Sequence, residues 1–285
     1  MPNTQEISRR IKSIKATRKI TRAMQMVSSA KMRKSQNIAM ASRRYAHLAW
    51  ELINNISSSA REHPLLRNYP DAKKAGVILI TTNKGLVGSF NSNLIKKALA
   101  EEKLEPELLT ELVVVGRKGR EVMKRLQKDI IAEFPKLDAT IPVKDVYPMI
   151  QLLTDKFNTG EYKKIYVVYN HFVSMLVQEP KVKQLLPVIP KSEHQTLSIG
   201  SNIIFEPDQE KVLNHLLPRI LESQLYQAIL ESDASEHSAR MMMMKNATEA
   251  AGDLIDDLTL TYNQIRQNKI TTELAEITAG RIALE

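Results

Sequence analysis

The last stretch of the chain, from Gln209 to Glu285, constrains the fold more than any other feature. It contains no glycine before Gly252 and a single proline, Pro218. Glycine and proline are the residues that most disfavour a helix interior, so the stretch predicts one helix on the order of 110 Å long. Ordinary globular helices have only about 11 to 12 residues. A helix of this length needs a partner, because helices in proteins gain most of their stability from packing.

The expected partner is the first stretch, from Asn3 to Ser59, which has neither glycine nor proline. The two stretches carry opposite charge. Residues 1–59 include 12 basic and 2 acidic side chains, whereas residues 210–285 include 7 basic and 12 acidic ones. Apolar and small side chains recur every three or four residues in both, as one helix face requires. We therefore predict an antiparallel coiled coil of helices at 1–59 and 209–285.

The predicted seam of the first helix begins with isoleucines, continues with small side chains and ends with larger apolar ones. Its members are Ile7, Ile11, Ile14, Ser28, Met32, Ser35, Ala39, Ser42 and Ala46, followed on a drifting face by Ile38, Tyr45, Leu48, Leu52 and Ile56. The second helix is expected to contribute Met243, Ala247, Ala250, Leu254, Thr261, Ile265, Ala275 and Ile282. Small residues in the middle would let the two backbones approach closely.

Between the helices the periodicity changes, after the dipeptides His63-Pro64 and Tyr69-Pro70. Short apolar runs alternate with helical stretches, which predicts a mainly parallel sheet with helices on both faces. The expected strands are Gly76–Thr82, Leu112–Gly116 and Lys164–Tyr169, and the expected helices are Ser89–Lys103, Arg117–Gln127 and Val143–Asn158. Runs at Val173–Gln178 and Lys183–Ile189 suggest a hairpin at the sheet edge. The predicted fold is a Rossmann-like α/β domain, residues 70–205, inserted into a coiled coil.

The composition excludes several classes of site. The chain has no cysteine, so disulfides, thiolate catalysis and cysteine-ligated metals are excluded. Its six histidines, at 47, 63, 171, 194, 215 and 237, include no i, i+4 pair. The start of the chain lacks the apolar core of a signal peptide, and no window approaches 18 consecutive apolar residues. We expect no metal, no cofactor and no direct insertion into a membrane.

The basic first helix has three possible explanations. Ten of its lysines and arginines lie between Arg9 and Lys34, and they could bind nucleic acid, form a solvated face or dock onto an acidic protein surface. The first 44 residues contain no aromatic side chain for base stacking. We therefore favour an acidic protein partner and no nucleic acid.

The loop Asn83–Asn91 follows a predicted strand and opens a predicted helix, as phosphate-binding loops do. Its glycines are only three apart and its lysine precedes both, so it matches neither common nucleotide-binding motif. We interpret it as a tight turn with Ser89 or Asn91 capping the helix, and we interpret the glycines at 116 and 119 in the same way. The run Met241–Met244 is expected to provide adaptable packing.

Several segments resemble the gamma subunit of the F-type ATP synthase. They are Ile7–Met24, Val27–Met32, Thr82–Asn91, Ala234–Thr248 and Tyr262–Ile277, which together span the whole chain. The family often has a cysteine where Val87 stands. The chain lacks the regulatory insertion of the chloroplast form and begins at the family's own start without a transit peptide, so a bacterial protein is expected.

The resemblance implies a function that composition alone cannot give. The chain would be a non-catalytic rotor shaft, with its coil inside a hexamer of alpha and beta subunits, one gamma per three alpha–beta pairs. Its α/β domain would contact the epsilon subunit and the membrane c-ring at the cytoplasmic face of the bacterial membrane. Two rival functions stay open: a nucleotide-binding α/β enzyme and a basic coiled-coil binder of nucleic acid.

The resemblance also implies which residues couple the shaft to its partners. Those carried over from the family are Met24, Arg240, Gln267, Thr271 and Glu273. The basic positions Lys12, Lys31 and Arg33 are expected to act together rather than singly, because exposed ion pairs contribute at most about 1 kcal/mol each.

Overall fold

The computed structural model describes residues 4–56, 63–136, 145–188, 206 and 208–282. Both predicted long helices are confirmed, as α1 (Thr4–Ile56) and α5 (Gln209–Ile282). Three of the predicted segments end at residues outside the described ones, namely Ser59, Phe205 and Glu285. The chain divides into two compact units. The first combines α1 up to Ser28 with α5 from Arg240 onward, and the second runs from Ser29 to Ala239.

In the first unit α1 and α5 run antiparallel. The hydroxyl of Thr248 donates a hydrogen bond of 2.8 Å to the hydroxyl of Thr21. One turn further along α5, a Cβ added at Gly252 would lie 3.3 Å from the guanidinium carbon of Arg18. Residue numbers therefore fall on one helix as they rise on the other, which confirms the predicted direction. Gly252 has no side chain, and this lets the Arg18 side chain lie against the backbone of α5.

The small-residue seam of α1 is confirmed. Its buried members include Ile7, Ser28, Met32, Ser35, Ala39 and Ala46, while Ile11, Ile14, Ile38 and Ser42 are half-buried. Tyr45 and Leu48 were wrongly placed in the seam, since they are 65% and 57% exposed. The polypeptide turns by about 100° per residue, so Ala46 points inward and its neighbour Tyr45 does not. The side chains of Leu52 and Ile56 lie outside the described residues.

The seam predicted on α5 is shifted by one residue. Met243, Ala250, Leu254, Thr261 and Ala275 are exposed, and Ala247 and Ile265 are half-buried. The buried positions are instead Met244, Gly252 and Ile255. Met241–Met244 is apolar on every side of the helix, so periodicity alone does not select the inward face. The side chain of Ile282 lies outside the described residues.

A five-stranded sheet lies in the second unit, with strand order β3-β2-β1-β4-β5. The strands are β1 (Lys74–Ile80), β2 (Leu109–Val115), β3 (Ile130–Phe134), β4 (Tyr162–Phe172) and β5 (Gln178–Leu186). The first four are parallel, and β5 pairs antiparallel with β4. The shorter helices are α2 (Phe90–Leu104), α3 (Arg117–Arg125) and α4 (Tyr147–Asn158), with a 3-10 turn at Pro64–Leu66. The Rossmann-like α/β fold is thus confirmed.

Two strand assignments differ from the sequence prediction. Strand β3 was missed, because its apolar run is only three residues long, from Ile130 to Ala132, and its five residues are only half-buried or exposed. The run Val173–Gln178 was wrongly assigned as a strand, since only Gln178 belongs to β5. Residues 173–177 form the turn between β4 and β5, where the Ser174 hydroxyl accepts hydrogen bonds from the amides of Leu176 and Val177. The predicted positions Val143 and Ile189 lie outside the described residues.

The sheet is covered on both faces, so its central strands are apolar on both sides. Strand β1 is buried from Ala75 to Ile80. One face packs against α2 and α3, and the other packs against α4 and the first part of α5. The α5 contribution consists of Leu213, Leu217, Ile220, Leu221, Leu225, Ala228 and Ile229. The same helix that forms the coil therefore also completes the core of the α/β sheet. None of the described helices has an apolar window long enough to cross a bilayer.

Candidate functional site

The loop after β1 closes on itself. The Thr82 hydroxyl donates to the carbonyl of Lys84 at 2.7 Å, and the Asn91 amide nitrogen donates to the Thr82 hydroxyl oxygen at 2.8 Å. Asn91 Oδ1 also accepts from the Thr82 amide at 3.2 Å. Asn91 thus lies inside α2 and fastens the loop, and Ser89 makes no capping hydrogen bond through its side chain. Ser89 thus occupies the N-cap position of α2, as predicted, but without a side-chain capping bond, and the loop is a tight turn as expected.

Asn83 joins the ends of three strands. Its side chain donates to the carbonyl of Lys136 at 2.7 Å and accepts from the amides of Arg117 and Lys136, each at 3.3 Å. Next to it an open cleft of about 490 Å³ is lined by Lys84, Arg117 and Arg120. Its acidic wall, Glu133, already pairs with Arg120 at 3.2 Å. An anion would have to compete with this carboxylate.

The glycines after β2 serve packing. Gly116 has a φ of 97°, and a Cβ there would lie 2.5 Å from the carbonyl oxygen of Thr81. The Thr81 hydroxyl accepts from the amide of Gly119 at 2.9 Å. These residues bring α3 against the end of β1, as the interpretation of a tight turn required. The amides of this turn are therefore used within the fold.

The carboxyl edge of the sheet is filled by α5. Open parallel sheets bind ligands in a crevice outside the carboxyl ends of their strands, where the strand order reverses. Here the reversal lies between β1 and β4, and α5 is buried at every position from Ile229 to Ser238. The Ser235 hydroxyl donates to the carbonyl of Asn170 at 3.2 Å, and the Ser238 hydroxyl donates to the carbonyl of Met175 at 2.7 Å.

Lys136, two residues beyond β3, reaches α5 from one side. Its ammonium lies 2.6 Å from a carboxylate oxygen of Glu236 and 3.0 Å from one of Asp233, and its side chain is only 3% exposed. Burial by itself would lower the pKa of Lys136, but the two carboxylates outweigh it and raise the pKa. The ammonium is therefore held in its charged form.

Glu231 meets α1 and β4 from the other side of α5. Its carboxylate accepts from Arg43 at 3.1 Å and from the amide nitrogen of Gln227 at 2.9 Å, and it contacts His171 Nδ1. Arg43 also donates to the carbonyl of Phe172 at 3.3 Å. The Glu231 carboxylate thus connects α5 to both neighbouring elements.

Two glutamines extend this contact along α1. The Gln224 side chain donates to the carbonyl of Ala46 at 2.5 Å, and the Gln227 side chain donates to the carbonyl of Ala39 at 3.2 Å. The hydroxyl of Ser42 donates to Gln227 at 2.5 Å. The small residues of the predicted seam therefore expose backbone carbonyls that α5 recognises.

The residues predicted to couple the shaft to its partners lie at several places along the two long helices. In the first unit Met24 and Arg240 are half-buried, and Lys12, Gln267, Thr271 and Glu273 are exposed. In the second unit Lys31 and Arg33 are exposed. Gln267 lies 19 residues beyond Thr248, the residue opposite Thr21, which corresponds to roughly 28 Å along the helix. Met24 and Gln267 are therefore not in contact.

Sequence reasoning missed a set of paired charges at the sheet edge. Its members are the buried Lys136, Glu231, Asp233 and Glu236, the half-buried His171 and the exposed Arg43. Charged residues on a long helix usually indicate a solvated face, so the segment around Glu231–His237 gave no sign of burial. The one available signal was its lack of any apolar side chain other than Ala234, within a helix whose neighbours are strongly apolar.

The described residues contain no cluster of three or more acidic or histidine side chains suited to a metal ion. His194 lies outside them. Met244 is buried, Met241 and Met242 are half-buried and Met243 is exposed. The methionine run thus faces several directions, as predicted.

Comparisons with known proteins give one consistent family. A family model described as ATP synthase matches residues 3–284. The ATP synthase gamma chain of Roseiflexus castenholzii is 41% identical, with 100% of this chain and 99% of the relative covered. That of Legionella pneumophila strain Corby is 39% identical over 100% of both.

Solved structures give the same fold. A chain of the Euglena gracilis mitochondrial ATP synthase, in a structure of OSCP, F1 and c-ring, matches with a TM-score of 0.68 and 18% identity, covering 99% of this chain and 94% of that one. A chain of the Tetrahymena thermophila mitochondrial ATP synthase, in a structure of the central stalk and c-ring, matches with a TM-score of 0.61 and 23% identity. The match covers 80% of this chain and 99% of that one.

Proposed function

Because the chain belongs to the family of ATP synthase gamma chains, we propose that it is the central rotor shaft of an F-type ATP synthase. The shaft couples proton-driven rotation of a membrane ring to conformational changes of the catalytic beta subunits, or runs in reverse with ATP hydrolysis. ATP chemistry takes place on the beta subunits, and this chain contributes no catalytic group. One copy serves three alpha–beta pairs.

The observation that carries this proposal is the apolar surface left uncovered on the coil. Among the described residues of the first unit the exposed large apolar side chains are Ile20, Met26, Val27, Met243, Leu254, Leu260, Ile270, Leu274 and Ile277. A soluble protein rarely leaves so many apolar groups along one element, and larger exposed patches mark contact sites for other proteins. A surrounding ring of subunits would cover them.

The exposed basic side chains of α1 support the same assignment. Lys12, Lys31 and Arg33 all point to solvent. Long-range attraction between opposite charges guides a partner and is screened by salt. We infer that the beta subunits present acidic segments to this surface.

The shaft can do work only through differential contact. A ligand shifts a conformational equilibrium by its difference in affinity for the two states, and the shaft is such a ligand for each catalytic subunit in turn. Its contacts must therefore favour one beta conformation at each angle and be released at the next.

The α/β domain would form the foot of the rotor. We propose that it contacts the epsilon subunit and the membrane c-ring at the cytoplasmic face of a bacterial membrane. The chain would be attached there through protein contacts alone.

Co-expression with alpha and beta subunits tests the assembly. With an affinity tag on beta, we expect the chain to co-purify at one copy per three pairs. Ile277→Asp, on the uncovered face of α5, should lower the yield of complex. Leu104→Asp, at an exposed apolar position of α2, is the matched control and should leave it unchanged.

A chain that never joins the complex would contradict the proposal. The same purified chain can be tested for the two rival functions. A thermal shift with ATP or a dinucleotide would favour a nucleotide-binding enzyme, and salt-sensitive binding to random duplex DNA would favour a nucleic-acid binder.

A further inference from the structure

We propose that a largely buried ionic clamp, with Arg43 at its solvent-exposed edge, transmits torque between the sheet and the shaft helix α5. The clamp consists of six residues of the second unit, namely Lys136, Asp233, Glu236, Arg43, Glu231 and His171. The proposal rests on the proposed function of the chain as a rotor. It assigns a positioning role to these residues, which act through α5 and not on any nucleotide.

The clamp grips α5 from two sides. Successive helical residues are about 100° apart, so Glu231 and Asp233, two positions apart, point to nearly opposite sides of the helix. Glu231 faces α1 and β4 through Arg43 and His171. Asp233 and Glu236 face the end of β3 through Lys136. Two restraints on opposite sides of one axis resist rotation of the helix about that axis.

Apolar packing alone would not resist rotation as well. The contacts between α5 and the sheet core, at residues such as Leu221 and Leu225, are buried but non-directional. Ion pairs and hydrogen bonds depend on distance and angle. A helix held by them has one orientation about its own axis. It keeps that orientation when a torque is applied to it.

Stability alone does not account for these buried charges. Replacing buried ion pairs by apolar groups of similar volume is often neutral or stabilising. The clamp places acidic side chains at buried positions where leucines would pack. A directional role, such as fixing the rotational setting of α5, explains why charged groups occupy the site.

The amino edge of the same sheet provides a matched control. There Lys156 pairs with the buried Glu111 at 2.8 Å and Lys74 pairs with it at 2.6 Å. These groups join β1, β2 and α4, and their ion pairs do not include α5. A substitution in this amino-edge cluster disturbs a buried ion pair of the same domain without releasing the shaft helix.

The test is single-molecule rotation of the assembled complex. Because the chain has no cysteine, Leu104→Cys, at a 73% exposed position of α2, gives a unique attachment point for a bead. The catalytic subunits are fixed to the surface, and the angular variance of the bead is measured while the enzyme waits for ATP. Proton pumping per ATP hydrolysed is measured on the same variants in vesicles.

We expect Lys136→Met and Glu231→Gln to broaden the distribution. Packed interiors transmit strain, so the variance should roughly double when one of two equal parallel restraints is lost and the stiffness is halved. Pumping per ATP should fall while ATP hydrolysis continues. Lys156→Met should change neither value. Lys136→Arg, which keeps the charge, should restore most of the stiffness.

If Lys136→Met fails to assemble, the neutral combination of Lys136→Met, Asp233→Asn and Glu236→Gln removes all three charges of this ion-pair group and is judged by the same variance. An unchanged variance in the assembled clamp variants would overturn the proposal, as would an equal rise in Lys156→Met. A wild-type bead that does not turn with ATP would overturn the rotor function, and the clamp with it.

Discussion

At the residue scale, the amino-edge cluster explains how the sheet tolerates a buried carboxylate. Glu111 is 5% exposed, yet its carboxylate receives the Lys74 and Lys156 ammonium groups and a 2.6 Å hydrogen bond from the Tyr162 hydroxyl. Burial by itself would raise the pKa of Glu111, but these three partners outweigh it and lower the pKa to about 2. The carboxylate therefore stabilises the fold only while it is ionised.

We predict that Glu111 makes the second unit sensitive to acid. Its folded pKa is below the ordinary value of 4.5, so its stabilising effect is complete above about pH 5 and is lost as the pH falls towards 2. The difference corresponds to about 3 kcal/mol. Urea unfolding at pH 7 and pH 3 should show that Glu111→Gln is less stable at pH 7 and loses part of the acid dependence. Glu133→Gln, whose ion pairs are more exposed, is the control and should keep that dependence.

Lys183 predicts a second rise of stability with pH, in the alkaline range. Burial lowers the pKa of Lys183 to about 8, although Glu231 acts to raise it. Between about pH 8 and 10.5 the unfolded chain binds more protons than the folded one, so stability rises with pH in this window. Lys183→Met should be more stable at pH 7, by at most about 3 kcal/mol.

The Lys183 ammonium lies 4.6 Å from the centre of the Trp50 ring. Lys183→Met loses this contact, which reduces the gain in stability. Chemical denaturation across pH 7 to 10.5 is the measurement. Lys181→Met, at an exposed position of the same strand, is the matched control. If the rise of stability with pH persisted in Lys183→Met, a group other than Lys183 would be responsible for it.

At the element scale, the long helices and the strand–helix alternation could be predicted because they depend on local patterns. A long stretch with almost no glycine or proline predicts a helix, and an apolar run of five or six residues predicts a buried strand. Which side of a helix faces inward depends on tertiary packing. Met243 and Met244 have the same side chain, and only the position of α1 selects Met244 for burial.

The same limit applies to the ends of strands. The run Val173–Val177 is apolar and β-branched at both ends, so its composition suggests a strand. In the fold the Ser174 side chain bonds two backbone amides and turns the chain, leaving Leu176 74% exposed. A single side-chain hydrogen-bonding pattern outweighed the propensity of the segment. The sheet-edge charges were missed for a related reason, because their partners are far away in sequence.

The coil of the first unit predicts a specific cross-link. The hydroxyl oxygens of Thr21 and Thr248 are 2.8 Å apart, so Thr21→Cys with Thr248→Cys places two sulfurs within reach of a disulfide. The chain has no other cysteine. Oxidation should give a product with altered gel mobility that a reductant reverses. Thr21→Cys with Glu249→Cys, where the second position is exposed, should not cross-link, and equal cross-linking of both pairs would contradict the helix pairing.

At the scale of the whole molecule, a rotor must make and release every contact in each turn. Its basic side chains should therefore act together. We predict that Lys12→Ala, Lys31→Ala or Arg33→Ala alone leaves ATP hydrolysis by the assembled complex largely intact, because one exposed ion pair contributes at most about 1 kcal/mol. The triple variant should slow assembly, most clearly at low salt, because high salt screens the same attraction in the unsubstituted chain. A complete loss of hydrolysis in one assembled single variant would show that the residues do not act together.

Met24 is half-buried in α1, among the exposed basic side chains of that helix. Met24→Lys would add a cation there and could form an extra charged hydrogen bond with an acidic partner, contributing about 1.5 to 3 kcal/mol at some angles only. We predict that this variant assembles and hydrolyses ATP but pumps fewer protons per ATP in membrane vesicles. Met24→Leu is the control and should pump normally. An unchanged ratio in Met24→Lys would remove Met24 from the coupling mechanism.

We expect Arg240→Cys or changes at Gln267 to restore coupling in Met24→Lys in part. Gln267 lies too far along α5 to contact residue 24, so restoration there would act on the balance of rotor angles and not on the new lysine itself. Pumping per ATP in the double variants measures it. Thr261 is an exposed position of α5 between Arg240 and Gln267. If Thr261→Ala also restored coupling in Met24→Lys, the effect would not be specific to Arg240 and Gln267.

The filled crevice at the carboxyl edge of the sheet has a consequence for affinity. In other doubly wound proteins a diffusible molecule occupies this position and leaves again. Here the occupant is residues 231–238 of the same chain, so its effective concentration is set by covalent connection and not by supply. In a diffusible ligand, favourable binding is measured as a dissociation constant. In this chain it keeps a covalently attached segment in place. A fold built to capture small molecules thus holds a tethered ligand that never dissociates, and the energy of recognition is available to withstand mechanical load.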